Sequence, residues 1–130
     1  MNVLFPGLLA YRDLALLALR LMVAVVFVWS GVTHLKDPAG RAKSIEMSVG
    51  FTVVLGLGEV AGGLGVAFGV LIQVAAIGLI LIMLGAIQKK IFTWKTGFWG
   101  GHAYGWHYDT MLAVMNLVIL TSGGGRFVVG

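Results

Sequence analysis

Apolar residues run almost unbroken from 14 to 33, "LALLALRLMVAVVFVWSGVT", with Arg20 the single charged position inside. That length matches the roughly 20 apolar residues a helix needs to cross a bilayer. Asp13 stands where an N-cap would. The polar stretch "HLKDPAGRAKSIE" follows, with Pro38 and Gly40 marking it as a loop. Apolar sequence resumes over 47–69 and 70–87, with the uncharged "FGVLIQ" at the junction, which predicts a tight antiparallel pair. After Lys89 and Lys90 come an aromatic, glycine-rich loop, "TWKTGFWGGHAYGWHY", and a shorter apolar run over 109–120. That run reaches only about 18 Å at 1.5 Å per residue, so a fourth crossing must borrow from residues 104–108 or sit beside a thinned bilayer. The pattern predicts an all-α membrane protein. It is one domain over residues 1–130, a four-transmembrane-helix bundle with short loops and spans near 14–33, 47–69, 70–87 and 106–121.

Composition narrows this by exclusion. Of 130 residues, 59% are hydrophobic and 11% charged, whereas soluble domains run at roughly 45–50% and about 25%. The absence of cysteine removes disulfides, thiolate metal sites and covalent c-type haem. It also removes thiol-based four-helix oxidoreductases. The formal charge of +4 does not point to nucleic acid, because the basic residues flank apolar spans. Lys36, Arg41, Lys43, Lys89, Lys90 and Lys95 are six of the nine Lys and Arg, and all lie in or beside two loops of one face. The positive-inside rule puts those loops in the cytoplasm and both termini outside it. The first span lacks a basic leader and a small-residue cleavage site, so it reads as retained.

The candidate chemistry centres on "GLGEVAGGLG", residues 56–65. Gly56, Gly58 and Ala61 fit G-x-G-x-x-A, but a dinucleotide turn needs a strand before it and a water-exposed helix after it. In a membrane span the glycines are packing material. Gly58, Gly62, Gly65 and Gly69 form one stripe where a neighbouring backbone approaches, with Glu59 at its edge facing protein. A charge near the midplane costs about 2.5–3.5 kcal/mol on insertion scales, so Glu59 is a functional candidate, as a proton-handling group or a helix-locking carboxyl. Arg20 is its candidate partner. Side chains lean toward their own helix N-terminus, however, so on antiparallel helices Arg20 and Glu59 point apart, and the other expectation is that Arg20 snorkels to the outer interface.

His34, His102 and His107 all fall on the cytoplasmic side by this topology, without metal-ligand spacing. No metal site is read from them, haem is disfavoured, and the expectation is interfacial histidines bonded to backbone or water. Trp94, Phe98, Trp99, Tyr104, Trp106 and Tyr108 suit an aromatic belt. The alternative is a pocket for a flat quinone head, formed by His34, Trp99, His102, Trp106, His107 and Asp109, with a histidine or Asp109 handling a proton.

On these residues the chain resembles the DoxX family of small four-helix membrane proteins of bacteria and archaea. The first span has Arg20, Gly31 and Lys36 in "RLMVAVVFVWSGVTHLK". The second carries G-x-x-E-x-x-G-G at Gly56, Glu59, Gly62 and Gly63. Then come "QVAAIGLILIMLGA" with Gly97-Phe98 beyond it, Tyr108-Asp109 at the fourth span, and "GGGR" ending at Arg126. The chain departs from the family in having Asp where Glu is more usual at the fourth span, and "FVVG" after the tail arginine. The resemblance implies a prokaryotic plasma (inner) membrane and association with redox systems, some of them quinone-linked. The leading expectation is an integral membrane subunit of a redox system, contacting quinone or other membrane or redox subunits, and at most one subunit of a quinone-linked oxidoreductase. A small proton-coupled transporter and a purely structural subunit are the rivals.

Overall fold

A computed structural model describes residues 4–45, 48–93, 95, 97–100 and 105–127. A 3-10 segment, Pro6–Tyr11, leads into α1, Arg12–Lys36. Then follow α2 (Pro38–Ile45), α3 (Val49–Phe68), α4 (Ile72–Gln88) with a π-helical turn Lys89–Thr93, and α5 (Trp106–Ser122). The architecture is all-helical, with no strand among the described residues.

Among the described residues, three segments are long and apolar enough to cross a membrane: Pro6–Lys36, Val49–Phe68 and Ile72–Thr93. Their outward faces carry exposed Met22, Val25, Trp29, Val54, Leu57, Leu64, Val74 and Leu81. Water-soluble surfaces rarely tolerate contiguous apolar faces of that kind. The protein is a multi-pass membrane protein that sits in the lipid bilayer. α5 has 17 residues, about 25 Å at the helical rise, and falls short of the other three.

Packing follows from small residues. Gly31 of α1 lies against Gly56 and Val60 of α3, Ala24 against Gly63, and Arg20 against Val66, so α1 and α3 run antiparallel. A Cβ on Gly31 would sit 2.6 Å from the Gly56 carbonyl oxygen and 2.6 Å from Val60 Cγ2. Only glycine permits this approach. The buried stripe of α3 is therefore Thr52, Gly56, Glu59, Gly63 and Val66, which corrects the expected stripe of Gly58, Gly62, Gly65 and Gly69 with Glu59 at its edge. Glu59 is central to the buried face. Gly62 and Gly65 meet Leu79 and Ala75 of α4, and Gly58 only approaches Ile82. With Gly78 they line an apolar groove of about 690 Å³ between α3 and α4. Val23, Phe27, Val66, Ala76, Leu79, Met83, Leu112 and Ile119 join α1, α3, α4 and α5 in one core.

The expected polar loop after the first span is partly helix. Asp37 Oδ1 accepts the Gly40 N–H at 3.2 Å and Pro38 opens α2, an N-cap followed by proline at the first helical position. Asp13 is not the N-cap of α1, which is Tyr11. Instead Asp13 holds the C-terminal tail, accepting the Arg126 N–H at 3.2 Å and facing Arg126 Nε at 3.8 Å.

Overpacking at the α1–α3 contact should be costly. Gly31→Ala is expected to lower stability by about 1–3 kcal/mol, whereas Gly50→Ala, where nothing lies within 4 Å, should be near neutral. Thermal unfolding in one detergent checks the difference.

Candidate functional site

Seven polar or charged residues are buried among the described ones: Arg20, His34, Thr52, Glu59, Lys90, Asp109 and Asn116. Glu59 is the eleventh of the 20 residues of α3, about 15 Å from either end at 1.5 Å per residue. Its Oε2 lies 3.5 Å from His34 Nε2. His34 belongs to the last turn of α1 and is only 3% exposed, with Glu59 at 4%. The expected interfacial histidine, hydrogen-bonded to backbone or water, is therefore a buried partner of the membrane carboxyl.

The tilt of side chains explains the meeting. With Gly31 between Gly56 and Val60, the Cα atoms of His34 and Glu59 are about 6 Å apart along the bundle axis. Each side chain leans toward its own N-terminus, and in an antiparallel pair starting from these positions that brings the two heads together. Gly56 makes the room, since a Cβ there would stand 3.0 Å from His34 Cβ. Carboxylate with imidazolium, or carboxyl with imidazole, is neutral overall, so one shared proton keeps the pair tolerable in an apolar surrounding.

Arg20 is fully buried and does not snorkel. Nε donates to the Val66 carbonyl at 2.9 Å and Nη2 to that of Ala67 at 2.8 Å. These are carbonyls of the last turn of α3, left without intrahelical partners where the chain turns through Gly69. Nη1 donates to the carbonyls of Gly124 at 3.2 Å and Phe127 at 2.6 Å. Four hydrogen bonds of the guanidinium are thus to carbonyl oxygens, at a level about 10 Å along α3 from Glu59 by helical rise.

A second buried pair joins the π-helical turn after α4 to α5. Lys90 Nζ lies 2.7 Å from Asp109 Oδ2 and 5.7 Å from the Tyr108 ring centre. In the sequence Lys90 stands among the basic residues in or beside the loops. Its position seven residues after Met83, on the face of Ala76 and Leu79, was the available signal. Asn116 was missed as well. It is the one amide within the apolar run of α5, fully buried, with Nδ2 donating to the Leu112 carbonyl at 2.8 Å and Oδ1 left without a hydrogen bond.

Of the six residues expected around a quinone head, the five that are described take part in three separate sets of contacts. Phe98 gathers three of them, with ring centres 4.7 Å from Trp99, 4.5 Å from Trp106 and 5.6 Å from His107. His107 also fastens the loop, with its backbone N–H and Nδ1 on the Phe98 carbonyl at 3.0 and 2.6 Å. Trp99 is 80% exposed. Asp109 is engaged by Lys90 and His34 by Glu59, while His102 lies outside the described residues, as do Trp94 and Tyr104. No group of three or more metal-ligating side chains occurs among the described residues.

The family model for DoxX matches residues 15–95, a stretch that holds α1 from Ala15 onward, α2, α3, α4 and the Glu59–His34 pair. The chain belongs to the DoxX family. Within this DoxX protein, Asp109, Asn116 and the glycine-rich tail lie beyond the matched stretch. No curated protein and no solved structure matches the chain.

Proposed function

We propose that this DoxX protein is an integral membrane subunit of a redox system, associated with quinone or with a partner oxidoreductase, and that α5 completes a single four-helix bundle as a short fourth span. The observation that carries the reading is the Glu59–His34 pair, a buried acid in the middle of one apolar helix against a buried base in the last turn of another. Quinone reduction consumes protons with electrons, and a carboxyl–imidazole pair can deliver a proton without placing a net charge in lipid. The electron donor would come from a partner subunit. The Phe98, Trp99, Trp106 and His107 cluster stands at the end of the bundle where α1 terminates and α5 begins, and its rings offer faces for a flat head group. By the distribution of Lys and Arg, that end faces the cytoplasm and the termini lie outside.

The test is copurification. Protein extracted in gentle detergent is expected to retain quinone detectable by mass spectrometry, and Glu59→Gln to lower either that retention or partner-linked quinone reduction several-fold. Unchanged quinone content and activity in the variant would remove the role. Proton-coupled uptake in liposomes, abolished by Glu59→Gln, would favour the transporter instead.

A further inference from the structure

We infer that Glu59 exchanges its proton with one side of the membrane only, through His34, because Arg20 and the C-terminal strap close the other side. The inference rests on the proton-handling reading of Glu59 and adds its sidedness. His34 lies two residues from Lys36, which is exposed at the end of α1. A proton arriving from that end enters at Nδ1 and leaves from Nε2 toward Glu59 Oε2, so one N–H forms as another breaks; the ring is then neutral in the other tautomer, and a ring flip or back-transfer restores the first.

The other side is built differently. Going from Glu59 toward the end of α3, the buried face carries Gly63, then Val66, and then the guanidinium of Arg20. A fixed positive charge on the path of a proton acts as an electrostatic barrier. Past Arg20 the strap closes over: Gly123, Gly124 and Gly125 turn through φ of 75°, 83° and 86°. Three consecutive left-handed residues are available only to glycine at low cost. They lay Gly124 against Ile72 and Arg20, and Gly125 against Leu16, while Asp13 holds Arg126. Arg20 Nη1 ties the strap down through the Gly124 and Phe127 carbonyls.

The other charges around Glu59 are few. α4 itself, Ile72–Gln88, has none. Lys90 is paired with Asp109 of α5, and Lys43 of α2 is exposed. Arg20 and His34 are thus the buried ionisable groups that α1 sets on the two sides of Glu59, its Arg12, Asp13 and Lys36 lying near the helix ends.

Two variants separate the charge from the cover. Arg20→Gln removes the cation and keeps an amide donor. Gly124→Ala leaves the cation but places a methyl on Ile72 Cδ1 and Arg20 Cδ in a conformation that L-residues resist. Each is reconstituted in phospholipid vesicles loaded with a pH-sensitive dye, with a potassium diffusion potential as driving force. Wild type is expected to hold a proton gradient. Arg20→Gln should dissipate it about tenfold faster, the effect of removing a like charge about 10 Å away at an effective dielectric constant of about 20. Gly124→Ala should also leak, and adding Glu59→Gln should return both to the wild-type rate. Circular dichroism confirms that each remains helical.

Tight vesicles from both folded variants, or a leak indifferent to Glu59→Gln, would overturn the inference. If Arg20→Gln fails to fold, Gly124→Ala decides alone. Quinone retention measured on the same preparations keeps the two readings apart. Retention that depends on Glu59 beside tight strap variants sinks only the sidedness, whereas a Glu59-dependent leak with indifferent quinone content sinks only the redox role.

Discussion

Asp109→Ala is expected to be among the most destabilising single substitutions in the chain, by about 3–5 kcal/mol, the usual cost of leaving one partner of a buried ion pair alone. Lys90 Nζ has Asp109 Oδ2 at 2.7 Å, and the two side chains are 11% and 5% exposed. Removing the carboxylate strands an ammonium group at the junction of α4 and α5. The double variant Lys90→Met with Asp109→Leu should recover most of the loss, because it removes both charges and keeps the volume. The pair is thus expected to show strong non-additivity in a double-mutant cycle of thermal unfolding in detergent. Equal and additive losses would show that the two residues act separately.

Arg20→Leu carries the second large effect, about 3 kcal/mol. Four hydrogen bonds from a charged donor are lost, and each is worth between about 0.6 kcal/mol, the average for side-chain bonds in a membrane bundle, and about 1.5 kcal/mol. The consequence is local as well as global. The last-turn carbonyls of α3 lose their donor, and the strap loses its buried charged anchor while keeping the exposed contact of Arg126 with Asp13 and the packing of Gly124 and Gly125 on Ile72 and Leu16. Limited proteolysis should therefore cut the tail of Arg20→Leu well before the helices, at temperatures where wild type resists. A variant with a protected tail and unchanged melting would show that the strap is held by something else.

Much of the architecture was legible because the bilayer imposes a coarse rule. Apolar runs near 20 residues had to be helices, and the runs over 14–33, 47–69 and 70–87 correspond to α1, α3 and α4, with ends shifted by one to three residues. The helix α2 was signposted by Asp37 and Pro38, and was lost because a polar stretch with Pro and Gly also looks like a loop. The buried face of α3 was misassigned for a different reason. "GLGEVAGGLG" has five glycines at mixed spacing, so more than one stripe can be drawn, and only the partner helix chooses between them.

The sequence alone determined that this chain lives in a membrane, that it belongs with DoxX proteins, and that Glu59 and Arg20 are ionisable groups set inside apolar helices. Those conclusions depend on residue type and on distance along the chain. Which groups meet depends on helix register and tilt, and these were decided only in three dimensions. Gly31 against Gly56 fixes the register that carries His34 onto Glu59. The same antiparallel geometry turns Arg20 toward the end of α3 and the tail, more than a hundred residues away in sequence. Close glycine contacts are short-range and specific to one relative placement of two helices, so no pattern along a single helix encodes them.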